Sequence, residues 1–258
     1  MSHISLEKSN HLARIRLQRP ERQNRFTMDM LTSMGQIFAD VEADPQLRCS
    51  LITSAGSDFC LGAEVSEVVP AWASGKSPFG VGQINPMGVS GPKRSKPLVV
   101  VVQGGCHMLG LELALAADIC IAADTTQFAF DEIHFGTYPF GGGLFRFIRA
   151  AGWSNAMRYS LTGDAFDAAQ AHRMHLVSQV CAAQEAEQIG LDIATRISQA
   201  APLALRAAIG QAMAWADGGD VAGFARSIPD ILQLLQSHDT SEALDARMKQ
   251  RPPVFVGR

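Results

Sequence analysis

The sequence predicts an α/β protein with much of its sheet buried and a C-terminal part that is helical throughout. Three observations carry this reading. The run Leu98–Val102, between Pro97 and Gln103, is apolar at every position and is followed by Gly104-Gly105, as suits a strand covered on both faces. Strand and helix patterns alternate around it. Beyond Gly141 the periodicity is almost wholly helical.

In chain order, residues 11–18 alternate well enough for a strand, which Arg19-Pro20-Glu21 ends. Thr27 is an N-cap for a helix reaching about Ala43, with Met30, Leu31, Met34, Ile37, Phe38 and Val41 on its apolar side. Residues 49–53 form a short buried strand. The stretch 69–95 is rich in Gly, Pro and Ser and reads as a long loop, a lid or pocket wall. After the central strand come a helix over 109–117, a strand over 118–122 and another over 126–130. Helices follow over 165–172, 185–199, 203–215, 221–236 and 240–250, with Pro202 and Gly218-Gly219 as punctuation.

The chain's 258 residues, 47% hydrophobic content and 18% charge suit a soluble globular protein and exclude disordered or fibrous classes. A net charge of −3 gives no global basic field, so no nucleic-acid partner is expected. The five cysteines contain no Cys-x-x-Cys pair and read as small buried apolar residues of a reducing compartment. The scattered histidines offer no metal site. The polar start, Met1 to Leu12, argues against a signal peptide, and no apolar run approaches a membrane span, so a cytoplasmic location without membrane contact is expected.

Chemistry concentrates in two glutamates and two glycine turns. Glu112 and Glu132 each sit in apolar, glycine-containing surroundings, where desolvation raises a carboxyl pKa and prepares it for proton transfer. Gly62 follows a buried strand and can accept a left-handed turn, leaving the N–H of Ala63 accessible. The chain also passes from Gly104-Gly105 into a helix starting near Met108, where the first N–H groups have no intrahelical partner. If Ala63 and Leu109 aim their N–H groups at one point, they form an oxyanion hole.

Read together, these segments resemble a known family. The order Arg19-Pro20-Glu21…Asn24, Phe59-Cys60-Leu61-Gly62-Ala63-Glu64, Gly104…Gly110-Leu111-Glu112-Leu113-Ala114…Asp118, and Phe128…Glu132…Gly136-Thr137-Tyr138-Pro139…Gly142-Gly143 is similar to that of the enoyl-CoA hydratase/isomerase (crotonase) family. The tail, Ser237 to Ala243 and Lys249 to Pro252, fits too. The resemblance implies a crotonase-like spiral of β-β-α units. Residues 1–200 would form the core with the acyl-CoA site, and residues 201–258 a helical trimerisation region of a homotrimer or hexamer.

Carried over by position, the resemblance implies that Ala63 and Leu109 hold the thioester oxygen while Glu112 activates water and Glu132 protonates the α-carbon. Arg22, from the cluster Arg19, Arg22 and Arg25, meets the CoA phosphates; Gly62, Glu64 and Gly110 complete the substrate-binding positions. No cofactor is implied, since coenzyme A is part of the substrate. The chain departs from the family at Leu61 and Glu64 and, most of all, at Met108-Leu109, where the family commonly carries glycines. A backbone N–H survives side-chain replacement, so the hole is expected to persist. The leading expectation is an enoyl-CoA hydratase. The alternatives are a 3,2-enoyl-CoA isomerase or other crotonase-type lyase, and a non-catalytic acyl-CoA binding protein.

Overall fold

A computed structural model describes residues 3–258; Met1 and Ser2 lie outside the described residues. The chain opens with a hairpin, β1 (Ile4–Ser9) and β2 (Leu12–Leu17), which pair antiparallel. Its two-residue turn places Asn10 and His11 at φ 48° and 66°, the doubly left-handed geometry that suits the twist of a tight hairpin. The expectations for this region include the second strand but not the first, because the turn lacks the usual Asn-Gly signal. Helix α1 (Met28–Ala43) starts as expected, with the Thr27 side chain accepting from the Met30 N–H at 3.1 Å.

Three β-β-α turns then follow. Each sends one strand into a first sheet, one into a second sheet, and then turns into a helix. The first is β3 (Cys49–Ser54), β4 (Cys60–Leu61) and α2 (Val65–Ala73). The second is β5 (Leu98–Val102), β6 (Gly105–His107) and α3 (Leu109–Leu115). The third is β7 (Ile119–Ala123), β8 (Gln127–Ala129), a 3-10 turn over Asp131–Phe135, and α4 (Gly143–Ala151). Helix α2 corrects the start of the expected loop over 69–95: residues 69–73 are helical, although Pro70 lies inside the helix and hides the pattern.

Beyond these turns lie α5 (Trp153–Thr162), β9 (Phe166–Asp167), α6 (Ala168–Arg173), β10 (Gln179–Cys181) and α7 (Ala183–Ser198). The helix expected over 165–172 is thus shorter, since Phe166 and Asp167 pair with β8 and Asp167 caps α6 by accepting from Gln170 N–H. The chain ends in α8 (Pro202–Leu235) and α9 (His238–Met248). Gly219, at φ 68° and ψ −163°, breaks α8 into two arms, as Gly218-Gly219 predicts.

The first sheet has six strands in the order β1-β2-β3-β5-β7-β10, parallel from β2 onward; the second has four, β4-β6-β8-β9. Strand β5 is buried at every residue because its two faces serve two cores. Leu98, Val100 and Val102 join the main core, while Val99 and Val101 pack under α7. Gly190 lets α7 approach closely, since a Cβ there would lie 2.2 Å from Val101 Cγ2. Among the described residues no helix is long and apolar enough to cross a membrane.

Candidate active site

The two donor turns occupy equivalent places in successive turns of the spiral, each where a strand of the second sheet gives way to a helix. At the first, Gly62 takes φ +93°. Phe26 N–H donates to the Gly62 carbonyl at 2.9 Å, and Glu64 N–H donates to the Phe26 carbonyl at 2.8 Å. In this parallel bridge the flanking residues make the bonds, so the N–H of Ala63 itself points the other way. At the second, β6 ends at His107, the Met108 N–H donates to the Ala129 carbonyl at 3.0 Å, and α3 begins at Leu109.

Among the described residues no side chain caps this helix start, so the N–H groups of Leu109, Gly110 and Leu111 lack intrahelical acceptors. The two turns touch: a Cβ on Gly62 would lie 2.9 Å from both Met108 Cβ and Sδ. Gly110 lets α3 rest on β4, where a Cβ would meet the Cys60 carbonyl oxygen at 2.4 Å. The strain of the non-glycine turn falls on Met108, at φ 48° and ψ −123°, and not on Leu109, the first residue of the helix. That region is occupied almost only by glycine and costs on the order of 1–3 kcal/mol.

Glu112 lies one turn into α3 and is 0% exposed. Its Oε1 accepts from the Gly143 N–H at 3.1 Å, the first amide of α4. Glycine is required around it: a Cβ on Gly141 would lie 2.7 Å from Glu112 Oε2, and one on Gly143 2.8 Å from Cγ. Burial pushes the Glu112 carboxyl up to about 7, against the opposing pull of the Gly143 and Gly141 amides and Arg146. Glu132 lies in the 3-10 turn at 6% exposure, and burial pushes it up to about 8, helped by the negative charges of Glu112 and Asp131. The two carboxylates therefore sense one another, and among the described residues neither Oε2 has a hydrogen-bond partner.

The remaining expected positions and the charged residues near them are placed as follows. Arg22 donates from Nε to Glu64 Oε2 at 3.1 Å, and Arg19 donates to the same oxygen at 2.8 Å, so these expected binding residues pair with each other. Arg25 donates to the Leu61 carbonyl at 2.7 Å. Lys93 is paired with Asp217, and Arg94 holds Asp118 through two bonds of 2.7 and 2.9 Å. Lys96 is buried and reaches the Val41 and Asp44 carbonyls at the end of α1. His134 packs against Gly163.

Gly141, Gly143 and Arg146 are absent from the sequence-based site. The run Gly141-Gly142-Gly143 was the available signal, and it marks close approach of backbone to a carboxylate. Arg146 donates to the Gly141 carbonyl at 2.9 Å and to the Met87 carbonyl at 2.5 Å, fixing the turn over Glu112. A cavity of about 480 Å³ opens beside Arg146, between residues 85–88, the end of α3 and the first arm of α8, one helical turn beyond Glu112.

Residues 7–258 match the family described as enoyl-CoA hydratase/isomerase. A probable enoyl-CoA hydratase/isomerase from Mycobacterium abscessus superimposes with a TM-score of 0.95 at 36% identity, covering 99% of each chain. The enoyl-CoA hydratase EchA19 of Mycobacterium tuberculosis is 27% identical over 98% of this chain and 96% of its own length. A 1,2-epoxyphenylacetyl-CoA isomerase of Escherichia coli is 31% identical over 94% of each.

The buried carboxyls predict a pH-dependent stability. Glu132 binds its proton more tightly when folded, at about 8 against an ordinary 4.5, so the folded state loses stability as pH rises through that window. Glu132→Gln removes this share. Denaturant unfolding should show the variant gaining on the wild type between those limits, by roughly 1–3 kcal/mol. A stability difference that does not change with pH would refute the buried-acid assignment.

Proposed function

The chain belongs to the enoyl-CoA hydratase/isomerase family, and from that premise we propose that it adds water across the double bond of a 2-enoyl-CoA thioester. The observation that carries the reading is the pair of buried, mutually sensed glutamates, each with a partnerless Oε2. Two raised carboxyls that share charge hold one proton between them near neutral pH. Glu112, held lower by the Gly143 and Gly141 amides and Arg146, serves as the base; Glu132, raised by burial and further by the charges of Glu112 and Asp131, serves as the acid.

The reaction then balances. Glu112 takes a proton from water as its oxygen bonds to the β-carbon. The π electrons move onto the thioester oxygen, where the N–H groups of Ala63 and Leu109 meet the growing enolate charge. Glu132 delivers its proton to the α-carbon, and a proton passed from Glu112 to Glu132 resets the pair. Arg19, Arg22 and Arg25 carry three positive charges against the carboxylates of Glu64 and Glu21, which leaves the cluster net positive toward the CoA phosphates. Glu64 orients two of the guanidinium groups in this reading.

The second arm of α8 supports assembly into a homotrimer, or a hexamer of paired trimers. Val221, Phe224, Ile228, Leu232 and Leu235 recur at helical spacing and stand exposed, Val221 at 83% and Phe224 at 71%.

Purified protein should hydrate 2-enoyl-CoA esters, and Glu112→Gln and Glu132→Gln should each lower kcat by about 10²- to 10⁴-fold. The rate should rise as Glu112 ionises and fall as Glu132 loses its proton, a bell between those two steps. Shifting of a 3-enoyl-CoA without any hydration would make the protein an isomerase, and binding without turnover of either would make it a binding protein.

The oxyanion role is tested by comparing Met108→Gly with Met108→Gly/Leu109→Pro. Proline is tolerated at the first residue of a helix and removes that N–H, and because it also shortens the buried Leu109 side chain, Met108→Gly/Leu109→Ala serves as the packing control. The proline double variant should lose about 10²- to 10³-fold in kcat relative to the alanine double variant. Equal rates would exclude the Leu109 N–H from catalysis.

Sedimentation should give a trimer or a multiple of it, with Phe224→Asp/Ile228→Asp shifting it to monomer. A wild-type monomer would remove the assembly proposal.

A further inference from the structure

The cavity of about 480 Å³ beside Arg146 follows one face of α3 away from Glu112. Leu115 and Ala116 line it, and they come three and four residues after Glu112, the spacing that stacks side chains on one side of a helix. Ala116 therefore lies about 6 Å further along the helix axis than Glu112. Arg146 belongs to both spaces. It donates to the Gly141 carbonyl in the turn over Glu112 and to the Met87 carbonyl in the cavity wall. Ile209 and Met213, from the first arm of α8, close the far side.

The walls are of two kinds. Leu115, Ala150, Ile209 and Met213 supply apolar surface. Lys93, Arg94, Arg146 and Arg149 bring four positive charges against the two carboxylates of Asp118 and Asp217. Lys93 is matched by Asp217 at 2.7 Å, and Arg94 by Asp118 through two bonds. Arg146 and Arg149 are left over. Their guanidinium groups donate to backbone carbonyls, Arg149 to that of Ala216 at 3.1 Å, and among the described residues neither makes a salt bridge. Burial pushes Arg146 below the usual arginine range; the Glu112 carboxylate pulls it back, and the charges of Arg94 and Arg149 push it down again. A hydrocarbon tail in this cleft would desolvate the two spare charges without pairing them. A short apolar chain ending in a carboxylate meets both kinds of wall, because a guanidinium fork matches that group.

We propose that this cavity receives the far end of the acyl group and selects a carboxylate there, held by Arg149 together with Arg146, so that the preferred thioesters are those of short dicarboxylic acids. The inference rests on the acyl-CoA site of the hydration reading and names its substrate class.

The test measures, by calorimetry on the full-length protein, the binding of hexanoyl-CoA and adipoyl-CoA, which are equal in chain length and differ at the far end by the carboxylate. Adipoyl-CoA should bind about ten- to hundredfold more tightly. Arg149→Met keeps much of the side chain's apolar stem without its charge. It should lose most of that preference while binding hexanoyl-CoA as the wild type does, and Arg149→Lys should keep part of it. Equal affinity for the two esters in the wild type, or an unchanged preference in Arg149→Met, would overturn the proposal. So would free adipate binding as tightly as its ester, since the cavity would then be an anion site apart from the acyl group. Neither ester carries a double bond, so the readout is independent of turnover. The expected preference in a protein that hydrates no enoyl-CoA would leave the cavity assignment standing and remove the hydration reading alone.

Discussion

Everything at the site turns on keeping the Glu112 carboxylate dry. The N-terminus of a helix favours negative charge, and Glu112 accepts the first amide of α4, so this contact alone would lower its pKa. Desolvation wins instead, and the group is raised to about 7. The contest explains the surrounding sequence. Gly141 and Gly143 are glycines because side chains there would occupy the carboxylate's own space. Arg146 pins that turn through the Gly141 and Met87 carbonyls, and Phe130 closes against Gly143. Because Glu112 stays close and poorly solvated, its charge reaches Glu132 and separates the two acids.

The spiral supplies what a single helix could not. Ala63 and Leu109 are far apart in sequence, yet they occupy the same step of consecutive turns, and their glycine-bearing loops meet at Gly62 and Met108. One turn further on, the same step delivers Glu132, with α4 following it. Strand pairing between β4, β6 and β8 thus sets the relative position of the Ala63 and Leu109 amides and Glu132. Met108 absorbs the conformational cost of the second loop, which leaves Leu109 an ordinary helical residue.

Much of this was legible in the sequence where a local pattern matched its tertiary fate. The valine run of β5, the Thr27 cap of α1 and the Gly218-Gly219 break all follow from short-range rules. The two glutamates were legible because apolar neighbours announced their burial. What stayed hidden depends on partners distant in the chain. Nothing near Glu64 discloses that Arg19 and Arg22 converge on it. Strand β1 escaped because Asn10-His11 adopts a turn usually marked by glycine, and α2 escaped because Pro70 reads as a breaker.

The bridge at Phe26 has a reach beyond its own two bonds. It orients the amide of Ala63 through hydrogen bonds made wholly by neighbouring backbone atoms, so no side chain encodes that donor. Substitution at position 63 can therefore change the surface around that amide without reorienting it. Met108 shows the same economy from the other side: a bulky residue in a glycine's conformation, its cost absorbed by the fold and its side chain packed against Gly62. A scaffold built this way uncouples where an amide points from the side chains that surround it.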